Sequence, residues 1–327
     1  MRSFTLPLLS DQSLQLSALA LEPVHWPAFA RAGVHCAILR LDKLHPLWGG
    51  NKIYKLRLNL CAARDAGFER VLSFGGAWSN HLFALAAIAR ELGMASVGIV
   101  RGDESRTPSA TLRDLSDMGM TLRMVSREHY RYCRSVEGMQ TVQADYPDCW
   151  VIPEGGDNAL GFEGCCTLGQ ALLQFESDTD RIALGVGTGT TIAGVIAGLQ
   201  GRIPVLGVLA ARDSRRVSER IAARIGSNRD APGDWSLTDA YVGPGFGRLS
   251  QQQSDFWHLF ERQTGITLDP IYTLKLMHAL ASKAEQGEYV PGTRLLAIHT
   301  GGLQGRRGFP QQPTRYNELT DSEVHVK

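Results

Sequence analysis

The 327-residue chain has no run of 18 apolar residues, so nothing in it reads as a membrane-spanning helix. Charge of one sign is missing too. Lys and Arg number 34 against 33 Asp and Glu, and a formal charge of +1 gives no global electrostatic case for nucleic acid or an anionic membrane. There is no cysteine framework. Cys36, Cys61, Cys133, Cys149, Cys165 and Cys166 form no C-x-x-C pair, which argues against a zinc ribbon or a disulfide scaffold. Scattered cysteines suit a reducing compartment. Residues 1–9 hold one arginine and a short apolar stretch with no small-residue cleavage site behind it, so they do not read as a secretion signal. The expectation is a cytoplasmic protein with no metal, no nucleic-acid partner and no membrane.

What is present is a globular pattern. Apolar residues make up 43% and charged residues 20% of the chain, which excludes disorder, and the length suits two domains of ~150 residues each. Short apolar runs at 36–41, 70–74, 95–100, 121–125, 150–152, 181–186, 204–209 and 294–299 read as strands. Between them, apolar residues recur three and four apart, as in Leu82, Leu85, Ala86 and Ala89. Strand–helix alternation of this kind predicts an α/β protein with parallel sheets. Polar, glycine-rich loops follow four of the strands: 75–80, 153–158, 187–191 and 299–302. Ligands of open α/β sheets bind at the carboxyl ends of strands, so the four predict one shared cleft. Residues 226–234 read as a loop, and residues from 308 onward as a loosely held tail.

Two features point to chemistry. In Trp48-Gly49-Gly50-Asn51-Lys52, a lysine stands at the first turn of a predicted helix. The positive potential there, with partial burial, would lower its pKa and make the amine nucleophilic. Taken alone, it reads more readily as a solvated surface lysine. Gly187-Thr188-Gly189-Thr190-Thr191 opens another helix. Free backbone N–H groups and hydroxyls there would cup a phosphate, although the turn reads also as simple tight-turn chemistry. It is not a Walker A loop, and it is a poor dinucleotide fingerprint because Ile192 stands where a third glycine or alanine belongs. That weakens a nucleotide-binding oxidoreductase reading. A reactive lysine plus a separate phosphate cup is the pair that pyridoxal 5′-phosphate requires.

The string Gly49-Gly50-Asn51-Lys52-x-x-Lys55-Leu56 resembles the lysine motif of the 1-aminocyclopropane-1-carboxylate deaminase / D-cysteine desulfhydrase family of fold-type II pyridoxal phosphate enzymes. Further matches follow in order: Ser73-Phe74-Gly75-Gly76-Ala77-Trp78-Ser79-Asn80-His81, Pro153-Glu154-Gly155-Gly156-x-Asn158-x-x-Gly161, Thr188-Gly189-Thr190-Thr191-x-Ala193-Gly194, Asp269-Pro270-Ile271-Tyr272-Thr273-x-Lys275 and His299-Thr300-Gly301-Gly302. The resemblance implies two open, mostly parallel twisted sheets flanked by helices, like the β subunit of tryptophan synthase, with the cofactor in the cleft between domains. It places residues 48–160 in a smaller domain and residues 1–47 with 161–327 in a larger one. Lys52 would hold the cofactor covalently, with Lys55 helping to neutralise its phosphate. Gly187, Thr188, Gly189, Thr190 and Thr191 would cradle the phosphate. Asn80 would bond the 3′-oxygen, and Thr300 would face the pyridine nitrogen. Ser79, Asn80 and His81 would take the substrate carboxylate, with Ser79 and Tyr272 also acting in catalysis. A homodimer is implied.

The family's ring-opening deaminases carry Glu after the tyrosine and Leu before the Gly-Gly pair; here those positions are Thr273 and Thr300. A neutral hydroxyl stabilises a pyridinium poorly, and that weaker electron sink suits β-elimination. The resemblance therefore implies a lyase, with D-cysteine as best substrate and 1-aminocyclopropane-1-carboxylate deamination or non-catalytic cofactor binding as alternatives. Phe246 stands where the family usually has Tyr, Ile53 and Tyr54 replace Thr-Arg, and Arg57 replaces Glu.

Overall fold

The computed structural model describes residue 19 and residues 21–102, 107–226 and 233–310. The segment at 1–9, most of the loop at 226–234 and the tail beyond 310 lie outside the described residues.

Two sheets organise the molecule. The smaller joins β5 (Met120–Val125), β4 (Ala95–Arg101), β3 (Arg70–Gly76) and β6 (Cys149–Val151) in that order, all parallel. The larger runs β1 (Leu21–Pro23), β2 (His35–Arg40), β10 (Arg294–His299), β7 (Arg181–Val186), β8 (Val205–Leu209) and β9 (Trp235–Thr238), and only the β1–β2 pair is antiparallel. Central strands β3, β4, β8 and β10 are buried almost end to end, which is why they appear in the sequence as unbroken apolar runs: both faces are covered by helices.

The predicted strands are present, with ends moved by a residue or two. The ladder of β6 stops at Val151, although Ile152 still donates its N–H to the Leu72 carbonyl at 2.8 Å. Two strands were not foreseen. β1 is three residues long and contains Pro23, tolerated because it lies at a sheet edge. β9 has only Trp235 and Leu237 as apolar signal, and pairs on one side only.

Three helices position the site. α2 (Lys52–Asp65) and α7 (Ala159–Leu172) pack together, and α8 (Thr190–Leu199) packs on α7 through small residues. A Cβ at Gly194 would lie 2.3 Å from the Cys165 Cβ, so the α7–α8 seam closes only with glycine there. α3 (Asn80–Glu91) is buried along most of its length, consistent with its run of Ala, Leu and Ile. Among the described residues, no helix is long and apolar enough to cross a membrane.

Candidate active site

All four glycine-rich loops meet. Gly50, at φ +125°, forms an isolated antiparallel bridge with Gly301, and the Asn51 N–H donates to the Thr300 carbonyl at 3.1 Å. A Cβ at Gly50 would come within 2.5 Å of that carbonyl, so the approach depends on glycine. Asn51 also spans the cleft: its amide nitrogen donates to Thr191 Oγ1 at 2.8 Å, and its Oδ1 accepts from Lys52 Nζ at 2.8 Å. The sequence motif contained Asn51 without suggesting this role.

Lys52 is the first residue of α2. Burial lowers the pKa of its amine to about 7, from 10.5, and the Lys55 charge pushes the same way. One helical turn on, Lys55 is buried, its own pKa lowered by burial, and its ammonium donates to Thr188 Oγ1 at 3.3 Å. Thr188 and Thr190 hydroxyls lie 3.1 Å apart, and Thr190 donates to Asp157 of the 153–158 loop. Gly189 caps α8 at φ +94°, leaving the helix N-terminus open.

On the smaller sheet, Ser79 caps α3, its Oγ accepting from the Leu82 N–H at 3.2 Å. The hydroxyl proton remains free for a further acceptor. Asn80 accepts from Gln304 Nε2 at 2.6 Å and presses on Gly302, where a Cβ would lie 2.2 Å from its Nδ2. Gln304 lies past the last motif, and no sequence signal pointed to it. His81 is buried, with Nε2 2.8 Å from Ser73 Oγ. Ser73 donates its one proton to the Ile152 carbonyl, so His81 must be the donor to Ser73. Burial and the Lys52 and Lys55 charges hold the imidazole neutral, far below the usual histidine range. Its Nδ1 has no hydrogen-bond partner.

The opposite wall is the start of α11 (Thr273–Glu285). Asp269 is buried and accepts from the N–H groups of Ile271, Tyr272 and Thr273 at 3.1, 2.9 and 2.7 Å. That clamp stands Tyr272 over β7, where Cβ atoms at Gly185 and Gly187 would lie 2.8 and 3.0 Å from its Cβ and hydroxyl. Burial, Asp269 and Glu154 raise the Tyr272 pKa, so the phenol stays protonated. Phe246 meets Tyr272 edge-on, centroids 6.4 Å apart. The Thr273 hydroxyl is buried without a partner, and Thr300 is buried as well. His299 braces the 299–302 turn: Nε2 donates to the Thr267 carbonyl at 2.9 Å, and Nδ1 accepts from the Gly301 N–H at 3.1 Å. Lys275, unassigned from sequence, bonds the Ala210 and Gly245 carbonyls at 3.0 and 3.1 Å and so ties down the turn that carries Phe246.

A primary amine whose pKa is lowered towards neutrality, a cup of N–H groups and hydroxyls backed by a lysine, and an orphaned buried hydroxyl form a donor set that fits pyridoxal phosphate. The family profile described as "Pyridoxal-phosphate dependent enzyme" matches residues 21–301. The chain belongs to this pyridoxal-phosphate dependent enzyme family. Its cofactor is pyridoxal phosphate. Among members of the family, it is 30% identical over 289 residues to a Thermotoga maritima protein named "Putative 1-aminocyclopropane-1-carboxylate deaminase", covering 84% of this chain and 90% of that one. It is 29% identical over 283 residues to the D-cysteine desulfhydrase of Yersinia enterocolitica, covering 81% and 86%. A crystal structure of an ACC deaminase homologue superposes with a TM-score of 0.73 at 26% identity, over 88% of this chain and 90% of that one. These likenesses agree with the two-sheet α/β fold read from the sequence.

Proposed function

We propose that this chain is a lyase that expels a β-substituent from an amino acid, with D-cysteine as substrate, yielding pyruvate, ammonia and hydrogen sulfide. The observation that carries the reading is the pair of buried hydroxyls Thr273 and Thr300, standing where the ring-opening deaminases carry Glu and Leu. The buried carboxylate nearest in sequence, Asp269, is committed to three backbone N–H groups at the start of α11.

Lys52 would hold the cofactor, Lys55 and residues 187–191 its phosphate, Asn80 its 3′-oxygen, and Thr300 would face the ring nitrogen. Bound pyridoxal phosphate supplies an electron sink for the pair left on the substrate Cα. The residues of the chain do the rest. Ser79 and the first N–H groups of α3 receive the substrate carboxylate. His81 contributes through its backbone, because its imidazole N–H is spent on Ser73. The Lys52 amine, oriented by Asn51 and with its pKa lowered to about 7 so that a large share is neutral at physiological pH, takes the α-proton. Tyr272, held protonated, gives a hydrogen bond to the departing thiolate and keeps its proton. Thiolate leaves readily, since its conjugate acid has a pKa of about 8.5. Phe246 brings no hydroxyl, so hydrogen bonding on that side rests on Tyr272.

A substrate panel tests the reading. Pyruvate and sulfide should appear from D-cysteine, and no 2-oxobutyrate from 1-aminocyclopropane-1-carboxylate above background. Comparable 2-oxobutyrate release would move the protein to the deaminase reading, and no product from any β-substituted amino acid would leave a cofactor-binding protein. The Lys52 amine gives a second expectation. Only its unprotonated form attacks the cofactor aldehyde, so uptake of pyridoxal phosphate by the cofactor-free chain should rise with pH and level off just above pH 7. An uptake rate still climbing at pH 9 would place the reacting amine at the protein surface.

A further inference from the structure

We propose that Asp157 and Arg224 form a charge pair that sets how tightly residues 187–191 grip a phosphate monoester, Asp157 acting against the anion and Arg224 for it. The inference rests on the reading that the cofactor phosphate lies in this turn. Arg224, on α9 (Ser214–Gly226), donates to Asp157 Oδ1 at 2.7 Å and reaches the Asp157 and Asn158 carbonyls at 3.3 and 3.5 Å. The same Oδ1 accepts the Thr190 proton. With that proton committed, the Thr190 oxygen accepts from Thr188, and the Thr188 oxygen accepts from Lys55. The donors therefore run in one direction, from a cation across the mouth of the cup to a carboxylate.

Two consequences follow. Asp157 competes with a phosphate for the Thr190 proton and, by committing it, holds the Thr188 proton on the Thr190 oxygen. Its charge also stands one hydroxyl away from the seat of a dianion, a repulsion that Arg224 cancels. Lys55, Arg224 and Asp157 together leave one net positive charge at the cup. Asp157→Asn keeps an oxygen for Thr190 and Arg224 but removes the repelling charge. Arg224→Gln keeps a donor but leaves the carboxylate uncompensated. The two halves of one ion pair should thus shift affinity in opposite directions, which an ion pair acting only as a strut would not do.

The test titrates the full chain, freed of cofactor, with pyridoxal 5′-phosphate, pyridoxal and inorganic phosphate, with melting temperature as a check on folding. Asp157→Asn should tighten pyridoxal phosphate about threefold or more, and Arg224→Gln should weaken it about tenfold, both sites being partly solvent-screened. The Asp157→Asn/Arg224→Gln double variant should return towards the parent. Pyridoxal, which lacks the phosphate, should respond to neither change, and inorganic phosphate should compete with the cofactor and follow the same order of variants. Weakening by both single variants, or equal effects on pyridoxal, would overturn the proposal while leaving the phosphate site intact. Failure of inorganic phosphate to compete in any variant would overturn the placement of the phosphate as well.

Discussion

Lys52→Ala should abolish the visible absorbance of bound cofactor and lower turnover by about a thousandfold or more. The size of the effect follows from the three tasks that converge on one nitrogen. The amine anchors the cofactor and accepts the α-proton, and does both because burial and Lys55 lower its pKa to about 7. Alanine leaves the Asn51 amide bonded to Thr191 but without its donor from Lys52, so the 49–51 turn keeps its bridge to Gly301 and the fold should persist. Arginine at position 52 is the sharper control. It keeps charge and bulk but cannot supply a neutral nucleophile, so it should be as inactive as alanine. Lys55, three residues on, is the obvious competitor. Its ammonium is already committed to Thr188, at the phosphate end of the site. Reduction of the loaded protein with borohydride and peptide mapping checks the assignment, and cofactor found on Lys55 would defeat it.

The central architecture was legible in the sequence because parallel strands buried on both faces have no choice but to be apolar runs. That is the case for β3, β4, β7 and β10, and their flanking loops had to be polar and glycine-rich where backbones approach each other. The edges were not legible. β1 and β9 each bury little, and their pairing is decided by neighbours far away in the chain. The site shows the same division. Lys52 and the 187–191 turn stand out only when read together, because a lysine at a helix start or a turn of small hydroxyl residues is ordinary taken alone. The residues that hold them do not stand out. Asn51, Asp269 and Gln304 work through contacts to segments 140, 3 and 224 residues away, and only the Asp269 clamp is local enough to be inferred from spacing. His81 shows a further limit. The motif placed it with Ser79 and Asn80, but in the first turn of α3 its ring faces back onto Ser73, where its proton is consumed. No pattern in a single sequence records which way a histidine faces once its helix has docked.

The phosphate cup makes the second large prediction. Gly189→Asp should weaken pyridoxal phosphate by about a hundredfold or more while the cofactor-free chain still folds. Two effects add. The backbone at 189 lies at φ +94°, which a residue with a side chain adopts at a cost of order 1–3 kcal/mol. Its Cβ would also press on Ile221 Cγ1 at 3.2 Å, a contact that a small shift of α9 relieves. The second effect is electrostatic: a carboxylate at the N-cap of α8 would occupy the helix end that a dianion needs and oppose it in charge. Gly189→Ala separates the two, since it carries the backbone and Cβ cost without the charge. It should lower melting temperature by a few degrees, as expected for about 1 kcal/mol, and weaken the cofactor far less than Asp does. Gly189→Asn, neutral and tolerant of positive φ, should fall between them. If Ala and Asp weaken the cofactor equally, strain accounts for the loss and the charge at this helix end is irrelevant. If Asp leaves affinity unchanged, the phosphate does not sit at α8, and Lys55, Thr188 and Thr190 form a polar ladder with another purpose.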